Sequence, residues 1–260
     1  MENTPEIYVK TDMPEELAQE LLQKSMEWYE ERKGRFTSSA HHKLVGDKKR
    51  DMTPEELTAW KAANPKSTAK TMVDPKLLSD GAMTYVLEVA GEILTGISAD
   101  KDISFKKEVQ WGVLYEPEAR KLYERVSGLV VQEVGIKHLK GNDYVAGSPD
   151  GLIGNDGGVE FKCPFTNHNH LRNLMLETVA DLKDEHPDYY WQCISGILIN
   201  QRQFWDFVSY SPNFKGSSQI KIIRINAREV MDDIRLLATK LKVATLELVK
   251  IVNLFKEEEI

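Results

Sequence analysis

The sequence predicts an α/β fold, a mixed sheet packed by helices on either side. Three observations predict it. Strand-like alternation is concentrated in the middle and later part of the chain, at residues 129–134, 145–146, a hairpin from 147 onward, 203–210 and 220–225. Helical periodicity flanks that block, and no composition break or repeat marks a second domain. The 260 residues are therefore read as a single domain with one continuous core.

Taken in order, residues 14–34 read as an amphipathic helix, with Leu17, Leu21, Leu22, Met26 and Trp28 on or near one face. Residues 44–75 are polar and rich in lysine and proline, and predict a loop carrying one short helix. That helix starts at Thr53-Pro54-Glu55-Glu56, where threonine caps, proline fills the first turn and the acids suit the positive end of the dipole. Helices follow at 83–95 and 111–127, the second bent or restarted at Pro117. Residues 171–199 are mostly helical, although the apolar run 193–199 leaves its period open. A long helix over 227–255, with Val230, Ile234, Leu237, Leu241 and Leu246 at near-helical spacing, is expected to pack on the core.

Composition narrows the class. With 41% hydrophobic and 29% charged residues the chain reads as globular rather than disordered. No apolar run approaches the ~18–20 residues of a membrane helix, and the polar, acidic start Met1-Glu2-Asn3 is no signal peptide. Two cysteines, Cys163 and Cys193, are too few for a disulfide scaffold or a four-cysteine iron–sulfur cluster, which fits a cytoplasmic setting. The formal charge of −7 does not advertise a phosphate-binding surface, but residues 32–50 hold seven Lys or Arg against Asp47 alone. A basic run of this kind is ordinarily a solvated face; here it also supplies the local positive charge that a nucleic-acid surface would need.

The chemistry sits in Ser148-Pro149-Asp150-Gly151 through Glu160-Phe161-Lys162-Cys163. Residues 154–158 are dense in turn formers, so two antiparallel strands should flank them. A turn centred on Asn155 sets Asp150 opposite Glu160, and cross-strand neighbours lie about 4.5–5.5 Å apart. Side chains alternate, so Val159, Phe161 and Cys163 share an apolar face while Glu160 and Lys162 share the other. Two carboxylates with carbonyl oxygens nearby suit Mg²⁺ or Mn²⁺ rather than Zn²⁺. Lys162 beside them could hold a phosphate, orient water or stabilise developing charge. The bland alternative is a surface hairpin with an ordinary Glu–Lys face.

At these residues the chain resembles the PD-(D/E)xK nucleases, and within them the lambda exonuclease or YqaJ-type viral recombinase group. The motif stands as Ser148-Pro149-Asp150-Gly151 and Glu160-Phe161-Lys162-Cys163-Pro164-Phe165-Thr166. Trp28 to Gly34 with Phe36-Thr37-Ser38-Ser39 is similar to that group's phosphate-binding segment, Trp111 to Glu116 with Ala119-Arg120 to its acidic helix, and Tyr189-Tyr190-Trp191-Gln192 to its glutamine helix. The likeness covers roughly residues 28–210. It implies a restriction-endonuclease-like core, with Asp150, Glu160, Glu116 and the Phe161 carbonyl as ligands of two Mg²⁺ ions and Lys162 as the catalytic lysine. Gln192 would order the site or hold the nucleophilic water, and Arg32 and Ser39, aided by Lys162, would hold a 5′-terminal phosphate.

The implied reaction is stepwise 5′→3′ digestion of one strand of linear duplex DNA, leaving 3′ overhangs for a single-strand annealing protein. A phage or prophage origin, the cytoplasm of a bacterial host and a homo-oligomer such as the group's ring-shaped trimer are implied in the same way. An endonuclease or repair nuclease of the same core, and a non-catalytic DNA-end-binding recombination protein, are the rival readings. The chain departs from the group at Ile194, where a second glutamine stands, and at Pro117 directly after Glu116.

Other features carry less. His168-Asn169-His170 reads as a loop or helix start, and the spacing of the cysteines and histidines does not fit zinc. His41-His42 reads as a DNA-facing or solvent pair. Trp191, Trp205 and Tyr210 read as core, and Trp60 as either a duplex wedge or a partly buried anchor. The acidic run Glu257-Glu258-Glu259 reads as a solvated tail.

Overall fold

A computed structural model describes residues 29–99 and 106–256. Most of the expected 14–34 helix and the acidic run at 257–259 lie outside the described residues; of the first helix (α1), residues 29–32 are described. The elements that follow are β1 (Phe36–Thr37), a 3₁₀ turn (Ser38–Lys43), β2 (Lys49–Asp51), α2 (Pro54–Ala63), β3 (Thr71–Val73), α3 (Asp80–Thr95) and α4 (Lys107–Ser127). Then come β4 (Val131–Gln132), β5 (Lys137–Leu139), β6 (Asn142–Gly147), β7 (Gly151–Ile153) and β8 (Gly157–Lys162). The chain closes with α5 (Asn167–Met175), α6 (Val179–Glu185), α7 (Pro187–Asn200), β9 (Phe204–Tyr210), β10 (Ile220–Asn226) and α8 (Met231–Phe255).

The central sheet has the order β10-β9-β8-β7-β4, with β8 and β9 parallel and the other pairs antiparallel. This is the mixed sheet the sequence predicts. A smaller sheet, β1-β6-β5, stands beside it. Alternation along β9 decides what each face of the central sheet receives. Trp205 and Phe207 enter a core with α3, α7 and α8, while Phe204, Val208 and Tyr210 enter a second core under Ala119 and Tyr123 of α4. The sheet is thus sandwiched, α7 on one face and α4 on the other.

Two glycines expected in the hairpin turn are strand residues instead. Gly157 and Gly158 belong to β8, and a Cβ on either would come within 2.2 Å of the Phe204 or Trp205 ring. The turn narrows to residues 154–156, with Gly154 at a φ of +50°. Its centre is still Asn155, because Ile153 pairs with Gly157 and Gly151 with Val159.

The expected polar loop at 44–75 carries more order than predicted. The helix α2 has the full Thr53/Glu56 capping box, and β2 and β3 pair as a ribbon beneath it. No residue of β2, α2 or β3 is buried, which is why hydrophobic patterning gave no strand signal there. The apolar run 193–199 is helix, and α4 continues through Pro117 without a break. On α8 the buried positions are Leu237, Leu241, Ala244, Leu248 and Val252, whereas Leu246 faces outward. Lys240, itself buried, ties α8 to the loops before α3 through the carbonyls of Gly46 and Leu77.

Candidate active site

The hairpin and α7 together build the site. Asp150 sits in the bend just before β7, one register step beyond the Gly151–Val159 pair, so it stands beside Glu160 as the hairpin register requires. Its Oδ2 accepts the Phe161 amide proton at 2.6 Å, which pins the carboxylate at the mouth of the hairpin. On β8, Val159 and Phe161 point into the α4 core with Cys163 packed against it. Glu160 and Lys162 point the other way, toward α7. Glu160 is only 3% exposed, and its Oε1 accepts from Lys162 Nζ at 2.8 Å.

The same Nζ donates to Gln192 Oε1 at 3.0 Å and lies 4.9 Å from the Tyr189 ring centroid. Tyr189 and Gln192 are three residues apart on α7, hence on one helix face. The ring of Tyr189 is stacked in turn on His186 and Phe207. The only sequence signal for Tyr189 is its i, i+3 relation to Gln192.

Glu116 reaches the site from α4, and the proline after it does not turn it away. Its carboxylate accepts from Arg120 at 3.0 Å, and Arg120 also bridges to Glu133. Ile194, the other departure noted in the sequence, is fully buried in the core rather than facing the site.

A cavity of about 970 Å³ is lined by Asp150, Glu160, Phe161, Lys162, Glu116 and Gln192, and also by Arg32, Ser38 and Ser39. Every candidate site residue read from the sequence therefore borders one space. Arg32 donates to Thr37 Oγ1 at 3.1 Å and Ser39 Oγ at 3.2 Å, so a guanidinium and a hydroxyl already share one corner.

The electrostatics of the cavity follow from burying three acids with too few cations. Burial pushes the Asp150 carboxyl well above the usual range, and Glu160 and Glu116 push it further. Glu116 is raised by burial too, in spite of Arg120. Burial works against the charge on Lys162, but Glu160 and Asp150 more than offset it and hold the ammonium protonated. Burial also lifts the Cys163 thiol to about 12, so it is no nucleophile at neutral pH.

These are hard oxygen donors held near one another at a net negative point, the setting in which a divalent cation relieves repulsion. Among the described residues no three His, Cys, Asp or Glu side chains form a closed ligand cluster. Two of the three carboxylates are engaged by cations: Lys162 holds Glu160 and Arg120 holds Glu116. Carboxylates that exchange these partners can accept a cation, and the donor set fits Mg²⁺ or Mn²⁺.

Two expectations change. The basic stretch at 32–50 does not line the cavity as a whole. Arg32 does, while Lys48 pairs with Asp80, Arg50 with Glu56 and Asp74, and Lys43 with Glu88, away from it. His41 is not DNA-facing or solvated. It is fully buried, with Nδ1 2.8 Å from Ser195 Oγ, and burial lowers it to about 4 against an opposing hydrogen bond to Phe36. The other readings keep their places: His168 and Asn169 lie in the first turn of α5, Trp191, Trp205 and Tyr210 are buried, and Trp60 is 40% exposed with its indole N–H on Ser67.

Comparison with known proteins adds three findings. A family model, the YqaJ-like viral recombinase domain, matches residues 27–202. No curated protein shows significant sequence similarity to the chain. Among solved structures, an alkaline exonuclease (LHK-Exo) from Laribacter hongkongensis superposes with a TM-score of 0.63 at 24% identity, covering 89% of this chain and 96% of that one. The same enzyme in complex with dAMP gives 0.62 over the same coverage, again at 24% identity. A phage-related exonuclease from Haemophilus somnus 129PT gives 0.57 at 16% identity, covering 84% and 96%. The restriction-endonuclease-like fold expected from the sequence is the fold found.

Proposed function

The chain belongs to the YqaJ-like viral recombinase domain family, and from that premise we propose that it is a Mg²⁺-dependent DNA exonuclease. Family membership and a fold shared with solved exonucleases support a nuclease acting on DNA. The finer reading is 5′→3′ digestion of one strand of linear duplex DNA from a 5′-phosphorylated end, leaving a 3′ overhang for recombination. One observation carries it. Asp150, Glu160, Lys162 and Gln192 border the same cavity as Arg32 and Ser39, so hydrolytic groups and a pocket suited to a terminal phosphate face one substrate.

In this reading Asp150, Glu160, Glu116 and the Phe161 carbonyl would hold the metal, as two ions. Held by these residues, Mg²⁺ would supply Lewis acidity, favouring deprotonation of the attacking water and neutralising charge on the leaving oxygen. The protein's own groups do the rest. Lys162, kept protonated by its carboxylate neighbours, stabilises negative charge developing on the scissile phosphate. Gln192 fixes the direction of the Lys162 ammonium through its Oε1, and Tyr189 supports it from the ring face. Arg32 offers a planar fork and Ser39 a hydroxyl to the terminal phosphate, which sets how far the strand advances before each cut.

An endonuclease of the same core is the second reading, and the Arg32–Ser39 corner speaks against it, since an internal cut needs no terminal-phosphate pocket. The test is nucleotide release from linear duplex DNA phosphorylated on one 5′ end, with Mg²⁺ or EDTA, beside covalently closed circles. Mg²⁺-dependent loss of the phosphorylated strand with intact circles is expected. Cut circles would establish the endonuclease, and Mg²⁺-independent binding without release would establish an end-binding protein.

A further inference from the structure

Behind the pocket lies a second polar arrangement that the proposed reaction does not use directly. His41 Nδ1 stands 2.8 Å from Ser195 Oγ, Ser195 Oγ donates to Ser38 Oγ at 2.8 Å, and Ser38 Oγ reaches the Ala146 carbonyl at 3.4 Å. His41 and Ser195 are fully buried and Ser38 nearly so. With the His41 ring neutral, the bonds run in one direction: Nδ1–H to Ser195, Ser195 O–H to Ser38, Ser38 O–H to Ala146. The tautomer follows from that chain of donors.

Apolar residues could fill the same space without hydroxyls to satisfy. A polar chain of three successive bonds, running from His41 Nδ1 while its Nε2 stays buried without a hydrogen-bond partner among the described residues, therefore fixes geometry rather than merely filling volume. It has two ends of consequence. Ser38 borders the cavity and precedes Ser39 in the same 3₁₀ turn. Ser195 lies three residues after Gln192 on α7, one helical turn from the residue that holds Lys162. The end of β6 makes room for the arrangement, since a Cβ on Gly147 would come 2.2 Å from Ser38 Oγ.

We infer that the buried His41–Ser195–Ser38 chain is a positioning device that locks the turn bearing Ser39 to helix α7, so that the terminal-phosphate corner keeps a fixed distance from Lys162. The inference rests on the exonuclease reading above and deepens it: selectivity for 5′-phosphorylated ends depends on residues that never touch DNA. His41 and Ser195 are positioning residues here, not catalytic ones.

The test compares initial rates on 5′-phosphorylated and 5′-hydroxyl duplex ends for the full chain and for Ser195→Ala, with Mg²⁺, together with KM, kcat and melting temperature. Ser195→Ala removes one oxygen and is expected to fold. The preference for phosphate should fall about tenfold, the scale of one lost orienting hydrogen bond, mostly through KM on phosphorylated ends. His41→Gln, which keeps a side-chain N–H for Ser195, should retain most of the preference, and His41→Leu should lose it. If Ser195→Ala slows both ends equally and leaves the ratio at the parent's value, the chain is only structural and the inference is overturned. If the parent itself ignores the 5′ phosphate, the pocket reading fails and takes this inference with it.

Discussion

Two regions of this molecule concentrate ion pairs, and they treat them oppositely. In the excursion formed by β2, α2 and β3, Arg50 meets Glu56 and Asp74, each at 2.7 Å, and Lys48 meets Asp80 at 2.7 Å, all at the surface. Two cations meet three acids there, but the groups stand open to water, which screens the excess. In the cavity, Asp150, Glu160 and Glu116 crowd Lys162 and Arg120 in a low-dielectric setting, and burial leaves acids above their ordinary range. The excursion has solved its electrostatics; the cavity keeps an unresolved negative point. That difference separates charge that decorates a surface from charge that is poised for a ligand, and it can be broken or sharpened by substitution.

The largest effect is expected where the imbalance is greatest. Lys162→Ala or Asp150→Ala should lower turnover by about 10³-fold or more, the scale of removing one preorganised charge-stabilising group, while circular dichroism stays that of the parent. Full activity in either purified variant would end the site assignment and, with it, the claim that the cavity differs in kind from the excursion.

A pH titration extends the comparison to the buried histidine behind the pocket. The His41 ring falls from 6.5 to about 4 on burial. The unfolded chain therefore binds a proton that the folded chain refuses, and stability present above pH 6.5 is lost as the pH falls toward 4. The contribution amounts to about 3 kcal/mol. His170 is lowered as well and acts with the same sign. Asp150 and Glu116, raised by burial, act with the opposite sign, so the measurement is the difference between parent and His41→Gln in denaturant midpoint from pH 7 to pH 4. A gap between the two that does not change with pH would mean that His41 carries its proton in the fold.

Crowded acids should cost the metal-free protein stability. Asp150→Asn keeps an oxygen for the Phe161 amide and removes a charge, and is expected to stabilise the metal-free chain by about 1 kcal/mol. Adding Mg²⁺ should raise the parent's melting temperature and leave the variant's nearly unchanged. A variant that melts lower than the parent without metal would show that the Asp150 charge is already balanced.

How much of this was legible in the sequence depends on how each signal arises. The hairpin was legible because its register, side-chain alternation and turn centre are local, and Asp150, Glu160 and Lys162 fell where those rules place them. The turn was read too wide, since Gly157 and Gly158 look like turn formers unless one knows that Phe204 and Trp205 of the neighbouring strand press on them. That contact crosses more than 45 residues of sequence, and periodicity carries nothing about it. The ribbon of β2 and β3 was missed because each strand is only three residues long and none of its residues is buried, so no apolar alternation develops. His41 was misread for a similar reason: its neighbours are basic and polar, and its burial is created by Ser195 on α7, 154 residues away. Arg32 and Ser39 drew notice through motif likeness, as did Glu116 and Arg120, whose i, i+4 spacing puts them on one helix face although no ion pair between them was read from it.

The smallest effect belongs to the excursion, and it tests the other half of the comparison. Arg50 donates to two carboxylates, but the group is open to solvent and none of α2 is buried beneath it. Arg50→Ala should therefore leave turnover at saturating DNA unchanged and lower the melting temperature slightly, more at low salt than at high salt, because screening already weakens the pairs. The contribution of Arg50 to DNA affinity should be equally slight, since its charge is spent on Glu56 and Asp74 rather than offered to phosphate. A steep loss of affinity with a reduced salt slope would contradict this. It would mean that DNA displaces those acids and that the excursion, like the cavity, holds its cations in reserve for the substrate.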